Sequence, residues 1–423
     1  MNSEFKTIGW AGNTNIYEIN VRQYTPQGTF DAFKAHLPRL KDMGIEVLWF
    51  MPIHPIGNMK RIGSLGSYYS IKDYKAVNPE FGNLNDFKSL VYAAHQLGFK
   101  VIIDWVANHT AWDHVWTIEH PSFYEWDGSG NFKSPYDWND VIQINHDCKE
   151  QQDAMIDAMK FWLDECDIDG FRCDMAHLVP LAFWQRARKE LESARTLFWL
   201  AETEEIRYHE VFDMSYAWEF LHKMEQYWRR ETDIGGLDYV LNKYRENFPD
   251  DALRALFTSN HDENSHSGSE YERMGDAAPA FAVLCATWGG VPLIYSGQEL
   301  PNKKRLKFFD KDVIDWGTEC GLHDFYKHLL KLRSHHPALR AGDGSVITRR
   351  LGVTEGRVFS FLKQKDDRIV LVLLNLSPDS VSFKMTDNQP SGDFRNIFSG
   401  KQESINAEAV LTLPAWGYFV IEK

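Results

Sequence analysis

The feature that most constrains this sequence is a regular alternation between short apolar runs and longer amphipathic segments. Eight runs, rich in β-branched and aromatic residues and bounded by Gly or Pro, favour strands: residues 15–21, 45–52, 100–106, 168–174, 197–202, 211–214, 253–260 and 291–296. Six segments between them have helical periodicity: residues 30–43, 84–97, 151–165, 181–191, 218–229 and 277–288. Eight strands alternating with helices predict an α/β fold, a closed (β/α)8 TIM barrel.

Two regions interrupt the alternation. Residues 110–147 follow the third predicted strand and are too long for an ordinary connection, so we expect an inserted loop subdomain there. Because it follows a strand that ends in polar residues, we expect it to line the rim of a cleft. Beyond residue 344, short strand-like runs with turn signals predict an antiparallel β-sandwich. The predicted domains are a barrel over residues 1–343 and a C-terminal β-sandwich over residues 344–423.

The charge balance excludes some classes of partner. The chain carries 60 acidic and 46 basic residues, a net charge of −14. Such a surface repels phosphate backbones and anionic lipids, so we expect no nucleic-acid partner and no membrane association. Aromatic residues make up 14% of the chain, and flat rings suit the apolar faces of sugar rings. The sequence indicates no particular oligomeric state.

Targeting signals and cysteine usage bear on the compartment. The first residues, MNSEFKTIGW, lack the basic region and apolar run of a signal peptide, and no stretch approaches the about 20 apolar residues of a membrane span. Five cysteines without a CxxC pair indicate reduced thiols rather than a disulfide framework. We therefore expect a cytoplasmic protein, or an exported one whose signal peptide has been removed.

Polar residues cluster where the predicted strands end, which is where reactive groups project in such a barrel. Three carboxylates stand at these ends, Asp174, Glu202 and Asp262. Retaining glycoside hydrolysis needs one carboxylate as nucleophile and a second group as proton donor. Arg172 lies two residues before Asp174, so both side chains face the same way on one strand. We expect this arginine to keep the nucleophile ionised while buried like charges raise the pKa of the proton donor.

Four motifs carry these residues in order: DWVANH, GFRCD, LFWLAE and FTSNHD. They resemble the four signature regions of the α-amylase family of retaining α-glucan enzymes, and the likeness extends from about Ile16 to the C-terminus. The resemblance implies the barrel, its inserted loop and its β-sandwich tail. It also implies hydrolysis of α-1,4-glucosidic bonds in starch or maltodextrin, with an α-glucan oligosaccharide or polysaccharide as substrate. We expect no required cofactor.

The resemblance also implies a role for each matching residue. Asp174 matches the nucleophile, Glu202 the general acid/base and Asp262 the stabiliser of the transition state. Arg172 matches the arginine that orients and ionises the nucleophile.

The same comparison implies four substrate-binding residues, of which Arg172 is one. His109 and His261 match two histidines that hydrogen-bond sugar hydroxyls at the cleavage subsite. Tyr69 resembles the tyrosine that stacks on the glucose ring there.

The sequence departs from the family where many relatives hold calcium. Asn108 matches a calcium ligand, but Gln143 stands where an aspartate is common, and Leu178 replaces a histidine whose backbone often completes the site. A hard cation prefers several oxygen ligands, commonly carboxylates. We therefore assign no metal ligand and expect no strict dependence on calcium. The pair His177-Leu178 also replaces a common Lys-His, which bears on substrate length.

Other interpretations remain open from the sequence. A cyclomaltodextrinase, maltogenic enzyme, transglycosylase or α-glucoside isomerase of the same family would share every catalytic residue. A catalytically silent carbohydrate-binding relative should have lost one of the three carboxylates, and all three are present. A phosphate-handling barrel would need a Gly-rich loop after the late strands, whereas Gly289-Gly290 precedes the eighth. Four tryptophans of the inserted segment could form its core or a sugar platform: Trp112, Trp116, Trp126 and Trp138.

Overall fold

The computed structural model describes residues 5–193, 195–317, 319–386, 391–405 and 409–423. Its centre is a closed barrel of eight parallel strands that follow one another around the barrel in chain order. These strands are β1 (Ile16–Ile19), β2 (Val47–Phe50), β3 (Lys100–Trp105), β6 (Gly170–Cys173), β7 (Phe198–Ala201), β8 (Met214–Tyr216), β9 (Leu253–Leu256) and β10 (Val291–Tyr295). All eight are buried throughout apart from the first residue of β3, which explains their almost continuous apolar sequences. The predicted barrel is confirmed.

The helices, apart from Trp116–Glu119 in the inserted segment, bury apolar residues. They are α1 (Val21–Tyr24), α2 (Phe30–Lys34), α3 (Leu37–Met43), α4 (Leu84–Gln96), α5 (Trp116–Glu119), α6 (Lys149–Cys166), α7 (Leu181–Leu191), α8 (Trp218–Trp228), α9 (Ile234–Asn247), α10 (Glu270–Met274), α11 (Ala278–Thr287) and α12 (His323–His335). Side-chain capping fixes several starts: Asn83 and Asp86 form a capping box at α4. Among the described residues, no helix is long and apolar enough to span a membrane.

The structure corrects three sequence-based predictions of elements. The helix predicted over residues 30–43 is two helices, α2 and α3, with Pro38 in the first turn of the second. The sixth strand, predicted at residues 211–214, begins only at Met214. The amides of Val211 and Phe212 bond back to the Tyr208 carbonyl of a preceding 3-10 turn, so they are not free to pair with a strand. Helices α9 and α12 were not predicted.

The inserted segment begins with an antiparallel ribbon. Strand β4 (His109–Ala111) pairs with β5 (Val141–Gln143), and His109 lies opposite Gln143 in the register. The structure assigns two of the four tryptophans to different alternatives. Trp116 packs on Phe123, as a core residue does, whereas Trp138 lies at the cleft described below.

The C-terminal part is built from antiparallel strands, as predicted. Its strands are β11 (Ile347–Arg350), β12 (Val358–Lys365), β13 (Arg368–Asn375), β14 (Val381–Phe383), β15 (Gly392–Asn396), β16 (Gln402–Ile405), β17 (Leu411–Leu413) and β18 (Tyr418–Glu422). Six form a sheet in the order β11, β12, β13, β18, β15, β16, and β14 pairs with β17. A separate apolar cluster, which includes Leu371, Phe383 and Phe394, fills the space between them.

Gly170 provides a test of how closely the barrel is packed where β6 begins. Its φ is +159°, and a Cβ there would lie 2.0 Å from the Phe198 carbonyl oxygen. We predict that Gly170→Ala destabilises the protein by about 1–3 kcal/mol, because the adjacent strand must move. Gly128→Ala is the control, since a Cβ at Gly128 meets nothing within 4 Å. Thermal unfolding followed by circular dichroism measures both, and equal midpoints would contradict the prediction.

Candidate active site

A cleft of about 450 Å³ opens at the carboxyl ends of the barrel strands. Asp174, Glu202 and Asp262 line it together, although they follow three different strands. Residues 137–141 of the inserted segment line the same cleft, so the expectation that this segment contributes to the rim is confirmed. We also expected several of its aromatic side chains there, but Trp138 is the one that lines the cleft among the described residues. The barrel thus brings together carboxylates that are 28 to 88 positions apart in the chain.

The Arg172 guanidinium lies at the centre of the charged groups. It is fully buried, and its Nη1 donates to both oxygens of Asp104 at 2.9 and 3.1 Å and to Asp174 Oδ1 at 3.3 Å. Its Nη2 lies 2.8 Å from Glu202 Oε2. Asp104 and Arg172 are register partners on the parallel strands β3 and β6, so the pairing follows directly from strand alignment. One cation therefore faces three carboxylates.

Asp174 and Glu202 differ in how their oxygens are used. Asp174 Oδ2 accepts no hydrogen bond from any residue that the structure describes, whereas Glu202 Oε2 accepts one from the Met175 amide at 2.9 Å. Burial, and then the neighbouring Glu202 carboxylate, raise the pKa of Asp174 well above its ordinary value in spite of Arg172. The expected effect of Arg172, which lowers this pKa, is therefore opposed by burial, and the same arginine is shared with Asp104 and Glu202.

Asp262 lies in a different electrostatic environment. Its side chain remains 40% exposed, and His261 Nε2 is 3.3 Å from its Oδ2. Burial acts to raise the pKa of Asp262, but the charge and hydrogen bond of His261 outweigh it and lower this pKa to about 2. Asp262 is therefore a permanent anion at the cleft surface.

His261 belongs to a hydrogen-bonded chain behind the cleft. Its Nδ1 bonds to Glu18 Oε1, its Nε2 lies 2.7 Å from the Tyr69 hydroxyl, and that hydroxyl donates to Asp104 Oδ2 at 3.0 Å. If Tyr69 donates to Asp104 and Glu18 is ionised, both ring nitrogens of His261 donate, which requires the imidazolium. Burial opposes this charge, but Asp262 and Glu18 outweigh it and raise the pKa of His261 well above 6.5.

The structure places the predicted binding residues at two depths. The side chains of Tyr69 and His109 line the cleft. Arg172 and His261 are 0% and 1% exposed and lie behind it, in contact with the residues that line it. Burial lowers the pKa of His109 to about 4, so this ring is neutral at pH 7.

Sequence reasoning missed Glu18 and Phe308, and it left open whether Trp138 belongs to a core or to a sugar platform. Glu18 is the one charge in the apolar run NIYEINV, and a lone charge in a strand buried on both faces is a signal that could have found it. Trp138 and Phe308 line the cleft but come from irregular segments with no spacing to mark them. Among the described residues, no group of three or more His, Cys, Asp or Glu side chains could hold a metal ion.

A closed (β/α)8 barrel with three carboxylates at the carboxyl ends of its strands is the arrangement of a glycosidase-type catalytic domain. The sequence profile of the α-amylase catalytic domain matches residues 11–145 and 125–312. The match covers more than half of the chain, and the chain therefore belongs to the α-amylase family.

Individual relatives agree with this assignment. The chain is 27% identical over 434 residues to an α-amylase of Haloarcula japonica, covering 96% of this chain and 62% of that protein. It is 28% identical over 418 residues to an α-1,4-glucan:maltose-1-phosphate maltosyltransferase of Rhodospirillum rubrum, covering 87% of this chain and 58% of that protein. The chain thus spans about three fifths of the length of these two relatives.

A solved structure matches over nearly the whole length of both chains. The crystal structure of an α-amylase from Lactobacillus plantarum superimposes with a TM-score of 0.88 at 29% identity, covering 98% of this chain and 99% of that one. The barrel and the antiparallel C-terminal sheets are therefore a shared architecture.

The hydrogen bond between Glu18 and His261 leads to a prediction about the charge of the His261 ring. Glu18→Gln removes one of the two anions beside His261, so the pKa of His261 should fall. The imidazolium's contribution to stability is fully present below the unfolded pKa of about 6.5 and is lost as pH rises through the raised folded pKa. Titration of the histidine ring signals by NMR measures the fall directly.

The control for this variant is Glu270→Gln, which alters an equally buried glutamate that bonds to Thr258 and Gln298. It should leave the pKa of His261 unchanged. An unchanged pKa in Glu18→Gln would contradict the proposed imidazolium chain.

Proposed function

We propose that this protein hydrolyses α-1,4-glucosidic bonds in starch- or maltodextrin-type glucans with retention of configuration. The observation that carries the proposal is the convergence of Asp174, Glu202 and Asp262 on one cleft, with Arg172 contacting the first two. Membership of the α-amylase family supports an α-glucan as the class of substrate. The residues that match the family's catalytic motifs also lie together in the cleft.

In the first step, Asp174 Oδ2 attacks the anomeric carbon while Glu202 protonates the departing glycosidic oxygen. Asp174 Oδ1 is held by Arg172, and the absence of a partner for Oδ2 within the described residues leaves that oxygen available. Burial and the neighbouring Glu202 carboxylate raise the pKa of Asp174, and the contact with Arg172 opposes that rise. The mechanism requires Asp174 to be ionised and Glu202 to carry a proton when Asp174 attacks.

In the second step, Glu202 accepts a proton from water, and the water oxygen attacks the anomeric carbon and displaces Asp174. Asp262 stabilises the positive charge that develops on the sugar ring, and its low pKa keeps it anionic for this purpose. Tyr69, Trp138 and Phe308 supply aromatic surface for the sugar rings. Two displacements at one carbon restore the α configuration.

Transfer to a sugar is the second candidate, because the similarity to a named maltosyltransferase favours it. A sugar hydroxyl would then replace water as the attacking group in the second step, with the same residues in the same roles. The products therefore distinguish the two candidates, whereas catalytic variants do not.

Two substitutions test the catalytic roles. We predict that Asp174→Ala and Glu202→Gln each lower kcat by at least about 10²–10⁴-fold, since each removes a group that acts on the reacting bond. Both carboxyls repel their neighbours in a buried site, so the thermal midpoint should stay equal or rise slightly. The matched control is Glu205→Gln, an exposed residue paired with Arg207, which should keep normal activity. Near-normal activity of Asp174→Ala would refute the nucleophile.

Product analysis tests the reaction and its stereochemistry together. On maltoheptaose we predict shorter maltodextrins whose first-formed anomer is α, read by proton NMR within the first minutes. Starch, cyclodextrin, pullulan and trehalose define the range of substrates by chromatography, and maltose 1-phosphate with a glucan acceptor tests transfer. A β anomer appearing first would refute retention. Chain extension without free reducing product would favour transferase action.

A further inference from the structure

The side chain of Gln143 makes an unusual set of hydrogen bonds where the inserted ribbon meets the barrel. Its Nε2 donates to the carbonyl of Asn108 at 3.0 Å, to Asn108 Oδ1 at 3.0 Å and to the carbonyl of Ile144 at 3.2 Å. All three partners are acceptors, so the carboxamide must present its nitrogen and not its oxygen to them. One nitrogen therefore lies at the centre of three converging oxygens.

This is the place where the family resemblance implies calcium, with Asn108 as a ligand. Calcium takes six to eight oxygen ligands at about 2.3–2.6 Å, commonly including carboxylates. Here the three oxygens surround a nitrogen at hydrogen-bond distances, and the set contains no carboxylate. The residues present do not fit the cation, because the amide N–H groups of Gln143 already donate hydrogen bonds to these oxygens.

The same hydrogen bonds continue into the cleft. Asn108 is 1% exposed, and with its Oδ1 held by Gln143 its Nδ2 faces His109 Nδ1 at 3.2 Å. An Nδ1 that accepts a hydrogen bond leaves the ring proton of neutral His109 on Nε2. His109 lines the cleft beside the proposed catalytic residues. The orientation of the Gln143 amide thus sets the orientation of the Asn108 amide, and the Asn108 amide sets which nitrogen of His109 carries the proton.

We propose that Gln143 replaces a structural cation and, through Asn108, fixes His109 as an Nε2 donor toward the substrate. Gln143 is a positioning residue, since it acts through His109. One part of this proposal rests on the proposed function, namely that His109 contacts the sugar. Its two structural consequences, the tautomer and the indifference to calcium, do not depend on activity.

The first experiment measures the tautomer of His109 by long-range ¹⁵N–¹H NMR in the intact protein. The wild type should show the Nε2-protonated form, and Gln143→Leu, which keeps the bulk but removes the donors, should show a mixture. Gln152→Leu is the matched control, since Gln152 also donates to a carbonyl, that of His146, but lies on α6. A wild-type ring protonated at Nδ1 would overturn the proposal without any variant.

The second experiment separates positioning from general damage. Gln143→Leu should lower kcat/KM for maltoheptaose about tenfold, mainly through KM, and Gln152→Leu should not. In a His109→Ala background, Gln143→Leu should produce no further loss, because interacting residues are non-additive. A full additional loss in that background would overturn the route through His109. An inactive wild type would refute the proposed function and leave the tautomer result standing.

The third experiment addresses the cation. The thermal midpoint of the wild type should be the same in EDTA and in millimolar calcium chloride. Gln143→Asp shortens the side chain, opens a gap among the oxygens and adds a carboxylate, so its midpoint should rise with calcium and fall in EDTA. A wild-type thermal midpoint that falls in EDTA and recovers with calcium would refute the proposal that Gln143 replaces a structural cation.

Discussion

The buried Arg172 guanidinium is the interaction on which the rest of the site depends. Its partners Asp104, Asp174 and Glu202 come from three adjacent strands, and without the cation their negative charges would repel one another in a space closed to water. Buried ion pairs contribute little to net stability, because desolvation offsets their attraction. The cluster is therefore better explained by its chemistry than by folding. It holds two carboxyls close together while leaving Asp174 Oδ2 without a partner among the described residues.

A second set of buried charged groups, linked by hydrogen bonds, extends across the barrel, and its charges are also paired with opposite charges. Glu18 on β1, His261 after β9 and Tyr69 lead by hydrogen bonds to Asp104, which Arg172 also holds. Positive and negative groups alternate along this path, so each buried charge has an opposite neighbour. His261 is connected in this way, through Tyr69 and Asp104, to the arginine that contacts Asp174.

The sequence predicted the features that depend on local periodicity and strand ends. Apolar runs define barrel strands because both faces of such strands are buried, and the carboxylates were found because strand ends converge. The failures have local causes as well. Strand β8 is only three residues long, and α9 starts with Ile234-Gly235-Gly236, whose glycines disguise a helix that Asp233 caps. Glu18 was missed because it lies inside a strand and not at a strand end, although a single charge within a buried strand is itself informative.

Gln143 shows where sequence reasoning ends and geometry is needed. From the sequence, its significance is only the loss of a carboxylate, which argues against calcium but names no substitute. The structure adds that the amide nitrogen points at the very oxygens a cation would use. The stabilisation by a bound metal grows with the logarithm of its concentration relative to Kd and vanishes without the metal, whereas a covalently attached donor is always present. The junction between the inserted ribbon and the barrel, and with it the position of His109 at the cleft, is then held by the chain itself.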